Sequence, residues 1–526
     1  MAKDIELKSD YDEAFEIKRT AWERQLKQGM LDLDFYFRAQ HTEKEAKQAE
    51  LQERELYTLD KIGRQVNLLH GYEIRNRHLL KIAPQGKTDD QEDKACSQHS
   101  SVIMNLMTMS GGYDVLSEAF KWGSLIQGSN LIEIWRDRNG DLQFSRLGWN
   151  QFLLNPGLTR TDLSDCQDIA IGRWIDPDRI KFLLPANSDN IETIQPLTNV
   201  SRWDFLQDPV LQNRAKRMLM EEWWRRDTET VPSVISRVNI PGFSIGQEKT
   251  ISEFATEFYG GDEKFAKSEI ARLKRTDGLP AFSRNSKAID KMKLTVFVNN
   301  RMVFDGLNPL RMRDYNLIWL HGDWCAECPR DDIKLQSWSR KLRDPQRALN
   351  RRTNQIYDII ESQLHALRVV RSDLLLNPEA AHEAGQGVVL HIDPNKDNGA
   401  PLKEIFNQFP ASDVPQSLFQ ALEMTDRAET ETGGLNQEIF GVDDSDADVP
   451  MILARHRTGQ ALTGQAGLFQ GFRNSKRQIG RKLVKLVQLN YSPQKVAEII
   501  NEFPVEGFYE DNLTRFDCSP VEGLLT

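Results

Sequence analysis

Apolar positions recur at a helical spacing in the second half of the chain. Within residues 342–371 they fall at Leu349, Ile356, Ile359, Ile360, Leu364 and Leu367. A period of 3.6 residues puts such positions on one face, so we expect a helix here. A second helix is predicted over about residues 414–430, ended by Gly433 and Gly434. A third and longer helical pattern covers residues 450–491.

A short β unit is predicted between the first two of these helices. Residues 373–376 and 387–392 carry β-like runs on either side of a polar turn. An acidic loop separates the second helix from the third. The second half therefore reads as helix, small β unit, helix, acidic loop and long helix.

The first part of the chain, up to about residue 335, mixes strand and helix patterns. Two hairpins are predicted where β-like runs flank Asn139-Gly140 and Asn299-Asn300, because Asn and Gly adopt positive φ at low cost. A long exposed helix is expected over residues 42–66, and another over residues 203–226. Together the two parts of the chain predict an α+β protein.

Length and charge exclude several classes of protein. The chain has 526 residues, 39% of them hydrophobic, and a formal net charge of -10. This size suggests roughly three or four compact units, and the charge disfavours DNA binding through bulk positive potential. Residues 1–18 alternate acids and bases without an apolar core, unlike a secretory signal, and the longest uncharged run, residues 95–113, is too polar to span a bilayer. Five scattered cysteines argue against a disulfide framework.

Cys325 and Cys328 form the strongest candidate for an enzymatic site. Their Cys-x-x-Cys spacing is typical of a redox-active dithiol, and it also matches half of a zinc site with His321 as a third ligand. No second Cys-x-x-Cys pair completes a zinc tetrahedron, and no thioredoxin-like βαβ pattern surrounds the pair. Two packed or loop thiols are therefore the favoured interpretation, and a redox or zinc protein is the alternative.

The acidic loop contains four aspartates within a short run: Asp443, Asp444, Asp446 and Asp448. A calcium-binding loop that began at Asp444 would need glycine at the position of Val449 and glutamate at that of Arg455. A metal-dependent nuclease, the second alternative, would need carboxylates from separate elements that converge on one point. The local sequence thus predicts a solvated acidic loop that acts through its charge.

Four segments of the chain carry a resemblance to a known family. They are VNLLHGYEIRNRHLLKIAPQG (66–86), LRDPQRALNRRTNQIYDII (342–360), ETGGLNQEIFGVDD (431–444) and ARHRTGQALTGQAGLFQGFRNSKRQIGRKLVKLVQLNY (454–491). In this order they resemble segments of the portal proteins of tailed bacteriophages, of the short-tailed P22 type. The matching parts of that family are an early segment, the start of the first stem helix, the passage after the second stem helix and the long wing helix.

The resemblance implies a portal fold assembled as a ring, typically dodecameric, at one vertex of the capsid. Its parts would be a mixed α/β wing over residues 1–335, a first stem helix over 336–367, a clip over 368–412, a second stem helix over 413–432, a channel loop over 433–450, and a long wing helix with a C-terminal wing segment over 451–526. P22-type portals continue into a helical crown. We therefore expect the crown to be short or missing here, or the sequence to be truncated after Thr526.

The same resemblance implies a structural role without enzymatic activity or a cofactor. The ring would pass double-stranded DNA during packaging and ejection, contact it transiently and without sequence specificity, and sit against the major capsid protein. The terminase large subunit would dock during filling, and head-to-tail adaptor or tail proteins would replace it later. Assembly would take place in the bacterial cytoplasm without a membrane partner, and the product would reside at the portal vertex of the virion.

Two sets of charged residues acquire roles in such a ring. The four aspartates would line the channel as an acidic collar that repels the DNA backbone. Basic residues at the first stem helix would either pair with acids of the neighbouring subunit, which we favour, or face the DNA. These basic residues are Arg340, Lys341, Arg343, Arg347, Arg351 and Arg352.

Overall fold

The computed structural model of the chain combines helices with antiparallel sheets. It describes residues 2–51, 54–84, 90–183, 194, 203–206, 215–240, 243–275, 277–364, 368–371, 373, 375–377, 379, 389, 391–393, 406–408, 414–434, 463–509 and 518–523. Both kinds of element contribute substantially, in agreement with the α+β class predicted from the sequence.

Helices occur throughout the described residues. The α-helices are α1 Ala2–Tyr36, α2 Glu43–Leu51, α3 Lys61–Arg75, α4 Asp90–Met109, α5 Gly112–Ala119, α6 Pro177–Leu183, α7 Ile251–Tyr259, α8 Glu263–Arg272, α9 Asp331–Lys334, α10 Arg343–Leu364, α11 Gln416–Gly433, α12 Ala466–Asn490 and α13 Pro493–Ile500. A π-helical segment, Phe120–Gln127, follows α5, and short 3-10 helices cover Ser339–Leu342 and Glu506–Tyr509.

The strands pair in antiparallel fashion. They are β1 Leu79–Pro84, β2 Ser129–Arg136, β3 Leu142–Leu147, β4 Phe152–Leu154, β5 Asp168–Ile175, β6 Met218–Ser236, β7 Glu248–Thr250, β8 Phe282–Val298, β9 Arg301–Leu307, β10 Leu317–His321, β11 Asp323–Trp324, β12 Leu335–Gln336, β13 Arg368–Val370, β14 Phe406–Gln408 and β15 Cys518–Gly523. The largest sheet has the order β4-β5-β6-β8-β9, with β7 paired to β6. A three-stranded sheet has the order β10-β2-β3, and β1-β15, β11-β12 and β13-β14 form separate pairs.

The chain divides into two compact units, each of which gathers segments that are distant in sequence. The first unit comprises Met1–Gly29, Ile74–Gln336 and Leu468–Thr526, and the second comprises Met30–Glu73 and Ser337–Gly467. The two larger sheets belong to the first unit, whereas α10 and α11 belong to the second. The division into wing, stem, clip and channel loop stays a prediction.

The core of the first unit joins residues of its two larger sheets. Leu131 and Trp319 of the three-stranded sheet lie in one buried cluster with Ile169, Trp224 and Val296 of the six-stranded sheet. Burial of such large apolar side chains contributes about 1.5–3 kcal/mol each. This shared cluster therefore fixes the two sheets against each other.

A buried lysine anchors α12 beside the three-stranded sheet. Lys482 Nζ donates hydrogen bonds of 2.8 Å to the carbonyl oxygens of Tyr315 and Leu317. Burial lowers the pKa of Lys482, because the charged form loses its hydration, while Asp314 nearby opposes that change. The hydrogen bonds supply the polar contacts that a buried ammonium group requires.

The ribbon formed by β6 and β8 corrects one expectation from the sequence. A helix was expected over residues 203–226, and this prediction is wrong, because Met218–Ser236 is a strand that pairs with β8 along its length. Residues 219–224 are buried without alternation, so the period of two that marks a half-buried strand is absent. The far end of the ribbon carries a second apolar cluster around Phe243, Phe254 and Phe282.

Local turn chemistry predicted both hairpins correctly. β2 and β3 pair across the Asn139-Gly140 turn, where Gly140 has a φ of +79°. β8 and β9 pair across Asn299 and Asn300, whose φ values of 44° and 70° are positive. The turns need the left-handed region, which Asn and Gly reach at low cost.

The helical patterns of the second half are confirmed except at the end of the first. α10 covers residues 343–364 of the helix expected over 342–371, but Arg368–Val370 is strand β13, so that part of the prediction is wrong. α11 lies where the second helix was expected and ends at Gly434 with a φ of +64°, and α12 covers most of the described part of the third. Among the described residues, the two runs of the predicted β unit meet in a bridge between Leu375 and Ile392, whereas β13 and β14 pair with each other outside those runs. The helix expected over residues 42–66 is instead two helices, α2 and α3, around an extended segment at 54–60.

One expectation about the cysteines needs correction. Cys96 is disulfide-bonded, although an odd number of scattered cysteines had argued against a disulfide framework. An odd number of cysteines still allows one bridge, which only the fold can reveal. Cys166, Cys325 and Cys328 are free thiols.

Among the described helices, none has a stretch apolar and long enough to cross a membrane.

The segment at 503–508 packs on α4, which contributes an amide side chain and a buried histidine to this contact. Gln98 accepts a 3.0 Å hydrogen bond from the Val505 amide and donates one of 3.0 Å to the Phe503 carbonyl. His99 stacks on Phe508 with 3.8 Å between ring centroids, and its Nε2 lies 3.0 Å from the Phe508 carbonyl oxygen. A carbonyl only accepts, so Nε2 carries the proton, and Nδ1 has no partner among the described residues.

We expect His99 to make the first unit sensitive to acid. Burial lowers the pKa of His99 to about 4, whereas an unfolded chain has a histidine pKa near 6.5. The folded state is therefore fully stabilised above about pH 6.5, and its free energy of unfolding decreases by about 3 kcal/mol as the pH falls to about 4. Urea unfolding measured from pH 8 to pH 4 should show that His99→Gln loses less of its free energy of unfolding in acid than the wild type does. Glutamine keeps an N–H donor but does not titrate. An identical pH dependence in both proteins would contradict this assignment.

Candidate functional site

One face of α10 carries a row of polar side chains four residues apart. The row consists of Gln346, Asn350, Asn354 and Asp358. Residues at this spacing lie one above another on a helix, so the four side chains point to the same side. All four lie in the second unit, as does the extended segment at 54–60 that they contact.

The polar row binds the backbone of that extended segment. Gln346 Nε2 donates to the Leu59 carbonyl at 2.5 Å, and the Leu59 amide donates to Asn350 Oδ1 at 3.1 Å. Asn354 both accepts from the Tyr57 amide at 2.8 Å and donates to the Tyr57 carbonyl at 3.2 Å. These side chains take the place of a neighbouring β-strand, because they satisfy backbone groups at alternate residues.

Two further contacts extend the polar row at its ends. Asp358 Oδ2 lies 2.5 Å from Arg54 Nη1 in an ion pair. Asn350 Nδ2 donates to Gln40 Oε1 at 2.5 Å. The rings of Tyr57 and Tyr357 lie beside the row with centroids 4.5 Å apart. Gln40 and the extended segment at 54–60 are thus held along about three turns of α10.

A buried carboxylate holds the start of α10. Asp32 is fully buried, and its carboxylate lies 2.8 Å from Arg340 Nη2 and 3.2 Å from Arg343 Nε. Ser337 Oγ donates to the same carboxylate at 2.9 Å. Burial raises the pKa of Asp32, while the two guanidinium groups oppose this change. Two of the six basic residues singled out in the sequence therefore have a partner within their own chain.

A second buried acid anchors α11 to α3. Glu429 Oε1 accepts a 2.7 Å hydrogen bond from Gln65 Nε2, and Lys61 lies 3.8 Å from its other oxygen. Burial raises the pKa of Glu429, and Lys61 opposes the rise. A Cβ atom at Gly433 would clash with Gln65 Oε1, so a larger residue there would displace the Gln65 side chain from Glu429. α10 and α11 also pack against each other.

Beside the polar row, α10 carries basic residues that are exposed to solvent. Arg347, Arg351 and Arg352 are exposed there, and Arg352 Nη1 donates to Gln355 Oε1 at 2.9 Å. The Arg347 guanidinium lies 4.9 Å from the ring centre of Phe35. Lys341, just before the helix, is exposed and lies 5.3 Å from the Trp338 ring. The structure thus separates Arg340 and Arg343, which are buried in ion pairs, from the outward-facing arginines.

The exposed face of α11 carries the opposite charge. Glu423 and Glu431 are exposed, Asp426 is partly exposed, and Arg427 pairs with Glu423 at 2.7 Å. Asp426 also forms an ion pair with Lys61. Acids outnumber bases on α11, so an acidic helix face lies in the same unit as the basic face of α10.

The acidic loop of the sequence lies outside the described residues. Asp443, Asp444, Asp446 and Asp448 follow α11, whose last described residue beyond the helix is Gly434. Their role as a channel collar stays a prediction.

The two cysteines of the Cys-x-x-Cys pair lie in a turn between β11 and α9. The Cys328 amide donates to the Cys325 carbonyl at 3.3 Å, Cys325 is exposed, and Cys328 is partly exposed. His321 is directed to the Gly322 carbonyl, 2.6 Å from its Nδ1, and burial lowers its pKa. Within the described part of the chain, no group of three or more His, Cys, Asp or Glu residues could hold a metal ion.

Sequence reasoning missed the polar row and Asp32 for different reasons. The spacing of Gln346, Asn350, Asn354 and Asp358 is visible in the sequence, but amides on a helix are usually assigned to its solvent face. Asp32 is separated from Arg340 by about three hundred residues, and no local pattern connects them. Only the fold brings the acid to the two arginines.

The family of the chain follows from a comparison with known proteins. A family model described as phage P22-like portal protein matches residues 12–512, which is nearly the whole chain. The chain therefore belongs to the P22-like phage portal protein family, and the resemblance drawn from four short segments is confirmed. A search of curated proteins found no match.

We expect Asp32 to be essential for the start of α10. Asp32→Ala would leave Arg340 and Arg343 buried without their carboxylate, and breaking a buried pair in this way costs about 3–5 kcal/mol. Chemical unfolding and hydrogen exchange of the amides at 340–350 should both report the loss. The matched control is Asp344→Ala, an exposed carboxylate on the same helix, which should change stability by about 0.5 kcal/mol or less. Equal effects of the two substitutions would count against the role of Asp32.

Proposed function

We propose that the chain is the subunit of a portal ring through which double-stranded DNA enters and leaves a phage capsid. The observation that supports this most directly is the match to the P22-like portal family over residues 12–512. In this proposal the ring sits at the capsid vertex beside the major capsid protein. The terminase large subunit docks during packaging, and adaptor or tail proteins follow. The proposed role is mechanical and needs no catalytic residue or cofactor.

The charges on the described helices favour contact between copies of the chain. The outer face of α10 presents Arg347, Arg351 and Arg352, whereas α11 presents Glu423 and Glu431. In a ring, the basic face of one subunit would meet the acidic face of the next, and each contact would be repeated around the axis. Complementary potentials of this kind fix register and partner choice. We therefore assign the exposed arginines to the interface between subunits.

The proposed ring also needs surfaces that do not hold DNA. Every phosphate neutralised by Lys or Arg adds affinity that depends on salt, and many such contacts would slow translocation. Arg340 and Arg343 are already paired with Asp32, which compensates one of their two positive charges inside the subunit. Placing the remaining arginines in subunit contacts would leave the channel wall largely acidic, in keeping with the net charge of -10.

Negative-stain imaging of the purified protein tests assembly. We expect rings with a central hole wide enough for duplex DNA, and a compact monomer would contradict the proposal. Arg351→Glu combined with Arg352→Glu should abolish the rings through repulsion from the neighbouring α11, and Glu423→Arg with Glu431→Arg should restore them at least in part.

The control for this charge reversal is Arg272→Glu, an exposed arginine on α8 in the first unit. It should leave ring formation unchanged. Rings that persist in the α10 double variant, but package less DNA, would show that Arg351 and Arg352 face the DNA and would reject the subunit contact.

The acidic loop is tested by a separate variant. Replacing Asp443, Asp444, Asp446 and Asp448 with Asn removes four charges per subunit and leaves side-chain size almost unchanged. We expect rings to form normally and DNA packaging or retention to change, because the collar no longer repels the DNA backbone. Packaging and retention equal to wild type would overturn the collar, while the family assignment would stand.

A further inference from the structure

α12 carries a row of exposed basic side chains four residues apart. Arg473, Arg477, Arg481 and Lys485 lie at this spacing, and all four are exposed. Residues four apart neighbour one another on a helix surface, so the row forms one ridge, about 18 Å long. The whole helix has six basic residues and no acidic one. This basic ridge is a concentrated positive surface on a chain whose net charge is -10.

The two other basic residues of α12 are used inside the subunit. Lys482 donates hydrogen bonds to two backbone carbonyl groups at and beside β10. Lys476 is buried, and its Nζ lies 4.4 Å from the ring centre of Phe472. The helix therefore separates its bases into two that hold it in the fold and four that point into solvent.

The basic ridge is not balanced within its own subunit. Arg477, Arg481 and Lys485 form no ion pair with any residue that the structure describes. Like charges four residues apart on a helix repel each other and destabilise the helix. Opposite charges on a partner would relieve this repulsion, so the ridge has the properties of a docking surface for an acidic partner.

α1 presents the complementary charge in the same unit. Glu6, Asp10 and Glu13 are exposed at spacings of four and three residues, which places them on one face of the helix. None of the three is in an ion pair within the described part of the chain, whereas the neighbouring Lys8 and Asp12 pair with each other at 2.9 Å. The first half of α1 is thus an acidic ridge without a partner in its own subunit.

Each ridge ends on an exposed apolar residue. Ile17, the next position on the acidic ridge, is 55% exposed, and Leu489, the next position on the basic ridge, is 44% exposed. A row of residues four apart is inclined by about 26° to the helix axis, so two helices that pack along these ridges cross at a shallow angle. With the helices running in the same direction and Ile17 opposite Leu489, each acid lies opposite a base to within about one residue's rise. The resulting pairs are Glu13 with Lys485, Asp10 with Arg481, and Glu6 with Arg477.

We propose that the acidic ridge of α1 docks on the basic ridge of α12 in a second copy of this chain. The contact rests on the proposed ring, since it needs a neighbouring copy, and it is separate from the contact between α10 and α11. It joins two different surfaces, as every contact in a ring does. Duplex DNA is the competing occupant, because it too carries regularly spaced negative charges. A second copy is favoured because the chain itself supplies an unpaired acidic ridge of matching length with an apolar residue at the same end.

Charge reversal of the basic ridge, followed by reversal of the acidic ridge in the same chain, tests the contact. The test variant combines Arg477→Glu, Arg481→Glu and Lys485→Glu. Its α12 would repel α1 of the neighbouring copy, so we expect half of the rings to dissociate at a protein concentration higher by about tenfold or more. The rescue variant adds Glu6→Arg, Asp10→Arg and Glu13→Arg. It restores opposite signs and should bring the dissociation concentration back to within about threefold of wild type, measured by analytical ultracentrifugation.

The matched control reverses three exposed bases of α8 in the same unit. It combines Lys264→Glu, Lys267→Glu and Arg272→Glu. The net charge changes by the same amount as in the test variant, so ring dissociation should stay at the wild-type concentration. Equal weakening by the control and the test variant would show a general effect of net charge and would overturn the proposal.

The remaining outcomes distinguish this contact from the portal role and from DNA binding. Wild-type rings that the test variant leaves unchanged would overturn the contact and leave the portal role standing. Weakening that the rescue variant does not relieve would show that the basic ridge meets a different acidic surface, with the same consequence for the proposal. Binding of a fluorescent DNA duplex that only the test variant loses, with ring assembly unchanged, would assign the ridge to DNA instead. Absence of any assembly by the wild type would contradict the portal role and this contact together.

Discussion

Buried polar groups need partners, and this requirement shapes both units of the chain. On α10, the side chains of Gln346, Asn350 and Asn354 satisfy backbone groups of residues 57–59, with which no strand among the described residues pairs. An unsatisfied buried donor or acceptor costs about 1–3 kcal/mol. Because hydrogen bonds are directional, the row fixes the position of the extended segment along α10 more strictly than apolar contacts alone would. In the first unit, Lys482 likewise donates hydrogen bonds to backbone carbonyl groups at and beside β10.

The same requirement separates the basic residues near α10 into two functional sets. Residues four apart lie on one side of a helix, but only Arg343, in the first turn of α10, pairs with the buried Asp32, whereas Arg347 and Arg351 further along are exposed to solvent. Arg340 and Arg343 stabilise the folded subunit, because both form ion pairs with a carboxylate of the same chain. Only the outward set is free to act on a partner. A run of arginines in sequence is therefore not one binding surface.

Local signals in the sequence predicted the elements that depend on local chemistry. The turns at Gly140 and at Asn299 and Asn300 need positive φ, and the end of α11 at Gly434 needs it too, so residue type alone indicated all three. β6 and the segment at 54–60 were missed because their conformation depends on distant partners, namely β8 and α10. The same contrast holds for the candidate site. The exposed arginines could be identified from the sequence, whereas the roles of Asp32 and of the ion pairs around Arg173 were visible only in the folded structure.

An uncompensated charge is tolerated only where its surroundings can neutralise it, and this distinguishes the ion pairs at Asp32 from those around Arg173. At Asp32, two guanidinium groups face one carboxylate, and Arg343 is partly exposed, so solvent screens the excess positive charge. Around Arg173 the ratio is reversed, with two carboxylates that are almost fully buried and one guanidinium. The cavity beside these carboxylates has room for water and is also lined by Arg136, Arg179 and Arg217, which offset the negative charge of Glu133 and Glu222. In both clusters, a buried charge that its ion-pair partner does not balance lies beside solvent or other charged side chains, which lowers the cost of burying it.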